Sequence, residues 1–209
     1  PRSRTLTIAT FNVNGINSRL PHLLAWLEQE QPDIVALQEL KATDSGFPIG
    51  AIEGAGYGAI WQGQASWNGV ALLARGSVPV ESRRGLPGAP ADTQARYIEA
   101  AVHGIVVAAL YLPNGNPQQG PKYDYKLAWM QRLTRHARTL VKLEHPVAML
   151  GDFNVIPTDE DVYDAAAWKK DALIQPAVRA AYQKLLAQGW TDALRSCSGE
   201  QRVYTFWDY

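Results

Sequence analysis
A single cysteine, Cys197, stands in 209 residues. One thiol cannot build an internal disulfide framework, so a reducing compartment, the cytoplasm, is expected. Histidine is scarce too: with His22, His103, His136 and His145 the only ones, Cys and His together are too few for a zinc site. No serine sits in a nucleophile-elbow sequence, and no phosphate-cradling glycine loop precedes a helix. Long apolar runs are absent. No run approaches membrane-spanning length, and the opening Pro1-Arg2-Ser3-Arg4 lacks the apolar core of a signal peptide. Net charge is missing as well, because 20 Lys and Arg balance 20 Asp and Glu, so bulk charge selects no partner. There is no internal repeat, low-complexity tract or linker.

What the chain has is apolar content, 46% hydrophobic residues, enough to bury a large core in one domain over residues 1–209. Its charge is balanced but uneven. Residues 75–142 hold ten Lys and Arg against four acids. That excess fits one positive face turned toward a polyanion, and equally fits ordinary solvated helix and loop faces. Alternation from residue 5 to 13 predicts a strand. Ser18 is placed to cap a helix bearing Leu20, Leu23, Leu24 and Leu27, and residues 34–37 form the next buried strand. Further strands are predicted at 57–62, 69–75, 78–82, 96–102, 105–112 and 147–150, with an aromatic one at 203–209. Helices are predicted at 125–143 and 176–188; on the first, Arg132, Arg135, Arg138 and Lys142 read as a solvated face.

Several of these strands end in polar groups. Asn12, Glu39, Tyr111 and the Asp152/Asn154 pair all stand at the carboxyl ends of apolar runs. If the chain stays extended, residues two apart point to one side, which would put Asp152 beside Asn154 and Asn12 beside Asn14. One such end is explained as well by a strand entering an Asx turn. Four together suit the hydrolysis of a phosphate ester. A carboxylate and amide oxygens hold an incompletely coordinated Mg²⁺, a second carboxylate takes the proton of an attacking water, and a phenol and an amide steady the phosphoryl oxygens.

The same residues carry a family resemblance. Phe11-Asn12-Val13-Asn14-Gly15, Leu37-Gln38-Glu39 followed by Lys41, Gly69-Val70-Ala71-Leu72-Leu73 and Arg83-Arg84-Gly85 belong to it. So do Tyr111-Leu112-Pro113-Asn114, Gly151-Asp152-Phe153-Asn154, Trp190-Thr191-Asp192 and Phe206-Trp207-Asp208-Tyr209. The chain resembles the exonuclease III family of apurinic/apyrimidinic endonucleases, within the endonuclease/exonuclease/phosphatase superfamily. The resemblance implies an α/β fold, a DNase I-like four-layer sandwich of two packed mixed β-sheets flanked by helices. It implies a monomeric Mg²⁺-dependent enzyme, with Mn²⁺ as a substitute, that cleaves the phosphodiester 5′ to abasic sites. A 3′-to-5′ exonuclease or 3′-phosphodiesterase activity would stand beside it, on double-stranded DNA with abasic or 3′-blocked lesions.

Roles follow position by position from that resemblance. Glu39 and Asn12 would bind the metal, with Asn14 supporting the same corner. Asp152 would orient or deprotonate the water, and Asn154 would position it; both count among the residues reaching the metal. Tyr111 and Asn114 would contact the scissile phosphate, and Arg96 and Lys122 the DNA backbone. Phe206 and Trp207 would wall the pocket for a flipped-out abasic sugar, unless they simply pack in the core. The Arg-Ile-Asp and Ser-Asp-His segments that close the family pattern do not occur here. The chain is therefore expected to be a fragment of a longer protein or a truncated homologue lacking the C-terminal strands, aggregation-prone and nearly inactive when expressed alone. Two rival functions stand: another phosphoesterase of the superfamily, and a non-catalytic nucleic-acid-binding regulator on the same fold.

Overall fold
The computed structural model describes residues 5–199 and 201–206. They fall into two compact units, one of residues up to 111 with 144–153, the other of 112–143 with 154 onward. Among the described residues no helix is long and apolar enough to cross a membrane.

The first unit holds both sheets, and each is mixed. β1 (Ile8–Asn12), β2 (Ile34–Gln38), β4 (Val70–Arg75) and β3 (Tyr57–Gln62) lie in that order, with β1 and β2 parallel and the other pairs antiparallel. β5 (Val80–Arg84), β6 (Tyr97–Val102), β7 (Ile105–Tyr111) and β8 (Val147–Asp152) form the second sheet, with β7 and β8 parallel. The alternation of side chains along a strand sorts the core into layers. Ile34, Ala36, Val70, Leu72 and Ala74 meet Ile98, Ala100, Val102, Val107 and Ala109 between the sheets. Val35, Leu37, Ala71 and Leu73 point the other way, where Leu23 and Leu27 of α1 (Ile16–Glu30) and Ile52 of α2 (Ile49–Gly54) cover them. Burial on both faces explains why β2 and β4 read as unbroken apolar runs.

Three local expectations are revised in this unit. Helix α1 begins at Ile16 with Gly15 as its N-cap, and Ser18, the expected cap, lies inside it with its hydroxyl bonded to the Gly15 carbonyl. β5 runs two residues later than predicted, because Pro79 has no N–H for the ladder. The chain also does not stay extended past its strand ends: Asn14 and Asn154 have φ of 45° and 46°. Gly151 is required where it stands. Its φ is +145°, and a Cβ there would lie 1.9 Å from the Leu110 carbonyl oxygen.

The second unit is helical and irregular. α3 (Pro121–Leu140) starts four residues before the predicted bound, with proline in its first turn, where the lost N–H costs nothing, and Asp124 on its positive end. Its solvated face is interrupted, since Arg132 is buried. α4 (Pro176–Leu186) matches the predicted helix, and α5 (Ala193–Ser198) is a helix the sequence reading did not contain. Residues 201–206 form no strand, contrary to the expectation for 203–209. They are tied instead to Asp161, whose buried carboxylate accepts from Thr205 Oγ1 at 2.5 Å and from Arg195, while its carbonyl accepts from Thr205 N at 2.9 Å.

Candidate active site
The polar strand ends of the first unit meet. β1 and β2 run parallel in register, as do β7 and β8, so Asn12, Glu39, Tyr111 and Asp152 arrive at one end of the two sheets. The Asn12 amide nitrogen donates to Glu39 Oε1 and to Asp152 Oδ2, both at 2.9 Å. The Tyr111 hydroxyl donates to the same Glu39 Oε1 at 2.7 Å. Lys41 completes the corner, with Nζ 3.0 Å from Glu39 Oε2 and 2.5 Å from Asn14 Oδ1. Glu39 and Lys41 both adopt left-handed backbone, φ 54° and 50°, a strained state that persists where the surroundings enforce it. Backbone bonds from Gly15 to Glu39 and from Ile16 to Leu40 are part of that enforcement.

This geometry sets the charge state. Burial pushes the Glu39 carboxyl upward, but donors from Asn12, Tyr111 and Lys41 outweigh it and hold the group below its ordinary range. Burial, reinforced by the neighbouring Glu39 and Asp152 carboxylates, drives the Tyr111 phenol far upward. Tyr111 therefore stays a hydrogen-bond donor. Arg96 sits 4.9 Å over its ring and donates to its carbonyl at 3.2 Å. The residue assigned to the DNA backbone thus also braces the phenol.

The donor set suits a hard cation. Two carboxylates hang on one amide, and among the described residues no cluster of three His, Cys, Asp or Glu could cage a metal. Mg²⁺ commonly takes one or two carboxylates and keeps waters for the rest of its shell. The Asn12 amide bridges the two carboxylates through its nitrogen, while its oxygen accepts from Asn14 N at 3.1 Å and keeps a second lone pair.

The remaining assigned residues lie in the second unit. Asn114 donates to Asn154 Oδ1 at 3.4 Å, and Asn154 donates to the Leu112 carbonyl at 2.7 Å. Lys126, which the sequence reading left without a role, is fully buried and donates to the carbonyls of Pro113 and Asn154. Lys122 is exposed in the first turn of α3. Phe206 packs edge-on to Trp168 beside a cluster of Ile156, Val162 and Leu173. Trp207 lies outside the described residues. Lys41 stands in the family phrase without an assigned role, and Lys126 carries no sequence signal of its own, since a lysine on a helix is ordinary.

Two mixed sheets presenting a carboxylate pair, a bridging amide and a protonated phenol at their strand ends define a phosphoester-hydrolase type of protein. The chain belongs to the endonuclease/exonuclease/phosphatase family, whose model matches residues 9–209. The exodeoxyribonuclease III of Haemophilus influenzae is 30% identical over 212 residues, covering 96% of this chain and 79% of that protein. An AP endonuclease from Archaeoglobus fulgidus is 36% identical with a TM-score of 0.92, covering 98% of this chain and 79% of that one. A 3′ phosphatase from Neisseria, solved with a product DNA hairpin, is 38% identical with a TM-score of 0.86, covering 92% of this chain and 74% of that one.

Proposed function
We propose that this chain belongs to a DNA-repair nuclease that hydrolyses the phosphodiester 5′ to abasic sites and clears blocked 3′ ends, using Mg²⁺. The observation that carries the reading is the bonded set Tyr111–Glu39–Asn12–Asp152. The names of the relatives, an exodeoxyribonuclease, an AP endonuclease and a DNA-bound 3′ phosphatase, lend it its substrate. Glu39 and Asp152 would hold the metal, which when bound offsets negative charge on the phosphoryl oxygens. Asp152 accepts the proton of the attacking water. Tyr111 donates to a phosphoryl oxygen, a task for which its protonated state suits it. Asn114 would contact the phosphate, and Asn154 would position the water.

The test uses the complete gene product and a duplex with one abasic analogue, with Mg²⁺ or with chelator. Nicking on the 5′ side of the lesion, dependent on Mg²⁺, is expected. Glu39→Gln keeps the shape but removes the charge, and should lower the rate by about 100-fold or more. Tight lesion binding without any cleavage would mean a regulator, and cleavage of small phosphodiesters alone would mean another phosphoesterase.

A further inference from the structure
Asn116 belongs to none of the roles above, yet every polar atom of its side chain is used. Its Oδ1 accepts from Ala172 N at 2.8 Å. Its amide nitrogen donates to Asn114 Oδ1 at 2.8 Å and to Asp171 Oδ2 at 2.9 Å, and its backbone N–H reaches the same Asn114 oxygen at 3.2 Å. Asp171 is itself held, because its other oxygen accepts from Leu173 N at 2.8 Å. These contacts allow one orientation of the Asn116 amide. Turned over, it would set N–H against the Ala172 N–H and oxygen against both a carboxylate and the Asn114 oxygen. With its oxygen taken by two donors, Asn114 must present its N–H₂ end, and one hydrogen goes to Asn154 Oδ1. Asn154 is oriented from its far side by the Leu112 carbonyl. Three amides are thus ordered by three backbone groups that cannot flip, the Ala172 and Asn116 N–H groups and the Leu112 carbonyl.

We propose that Asn116, anchored by Asp171 and Ala172, is a positioning residue that makes Asn114 present an N–H donor, not a carbonyl oxygen, to the scissile phosphate. The inference rests on the reading that Asn114 contacts that phosphate. A reversed Asn114 would turn an acceptor toward an anion. Asn114 is exposed, and apart from the Asn116 side chain only the longer bond from the Asn116 backbone N–H takes its oxygen among the described residues.

The decisive variant is Asn116→Asp. The new side chain has nearly the same shape but sets a carboxylate oxygen against Asn114 Oδ1, a repulsion stronger than the one remaining bond from the Asn116 backbone N–H, so Asn114 turns its N–H₂ toward it. The substitution also sets two carboxylates together, which costs stability. Adding Asp171→Asn removes that repulsion and leaves Asn114 reversed. In the complete gene product, Asn116→Asp should lower kcat on abasic duplex by about tenfold or more, the low end for losing one transition-state donor, with little change in KM. The double variant should recover the melting temperature and not kcat. Placed on Asn114→Ala, Asn116→Asp should cause no further loss. Recovery of kcat along with melting temperature would reduce Asn116 to a packing residue and overturn the proposal. The side-chain ¹⁵N–¹H₂ signals of Asn114 give a readout without catalysis. They should move in Asn116→Asp, and unchanged signals would overturn the orientation. If the wild-type protein fails to nick, the nuclease reading falls, and the Asn114 signals still decide whether Asn116 orients that amide.

Discussion
Glu39 and Tyr111 fix each other's protonation. The carboxylate needs donors to stay ionised while half-buried, and the phenol beside it is kept from ionising by burial and by that same negative charge. A carboxyl held below its unfolded value adds stability above that value, and the contribution is lost as pH falls through the folded value. Tyr111→Phe removes one of the donors that hold Glu39 down. The acid limb of kcat/KM should therefore move to higher pH, and kcat should fall about 100-fold through loss of one phosphate donor. The stability lost as pH falls from the ordinary carboxylate range through the folded Glu39 value, read by urea melts, should also shrink. An acid limb that stays in place would separate Tyr111 from Glu39. The carboxylate, amide and phenol were each legible as polar residues closing apolar runs. The role of Lys41 was not, because it depends on left-handed turns at Glu39 and Lys41 that no local propensity favours.

At the scale of elements, strands were legible and the second unit's irregular parts were not. β2 and β4 are apolar at almost every position, and that pattern leaves few alternatives. α5 has six residues and no apolar stripe; it exists because Asp192 caps it through Arg195 N and because Arg195 reaches Asp161. Asp161 likewise decides the path of residues 201–206, whose aromatic alternation suggested a strand. Burial raises its pKa, yet donors from Thr205, Thr158 and Arg195 outweigh that and hold it low. Asp161→Ala should cost at least about 2 kcal/mol, since it strips several charge-assisted bonds from a buried site. The fluorescence of Trp168, packed edge-on to Phe206, should report release of the segment before global unfolding. A urea midpoint within error of wild type would show that the segment is held elsewhere.

For the whole molecule, half of the ten basic residues in 75–142 are paired, buried or engaged with a neighbour. Arg75 pairs with Asp33, Arg84 with Glu81, Lys126 and Arg132 are buried, and Arg96 braces Tyr111. That leaves Arg83, Lys122, Arg135, Arg138 and Lys142 exposed, and of these Lys122 is the one the family resemblance assigns to the DNA backbone. Lys122→Ala should weaken DNA binding and reduce the salt slope by about one unit. Arg96→Ala should instead lower kcat through a loosened Tyr111 and leave the salt slope nearly intact. Equal slopes for wild type and Lys122→Ala would take Lys122 out of the interface.

The sequence by itself determined which strand residues are buried, because apolar runs and their period leave the chain little choice, while the layering of two sheets came from the family resemblance. It also marked Asn12, Glu39, Tyr111 and Asp152, because a buried strand that ends in a polar group loses solvation without a packing gain. Only the tertiary structure decided that Asn12 bridges the two carboxylates, that Lys41 pairs with one of them, and that Asn116 orders Asn114. Each of these depends on which end of an amide or which turn of backbone faces a neighbour many residues away. Such directions are set by hydrogen bonds between distant segments, and composition and spacing carry no record of them.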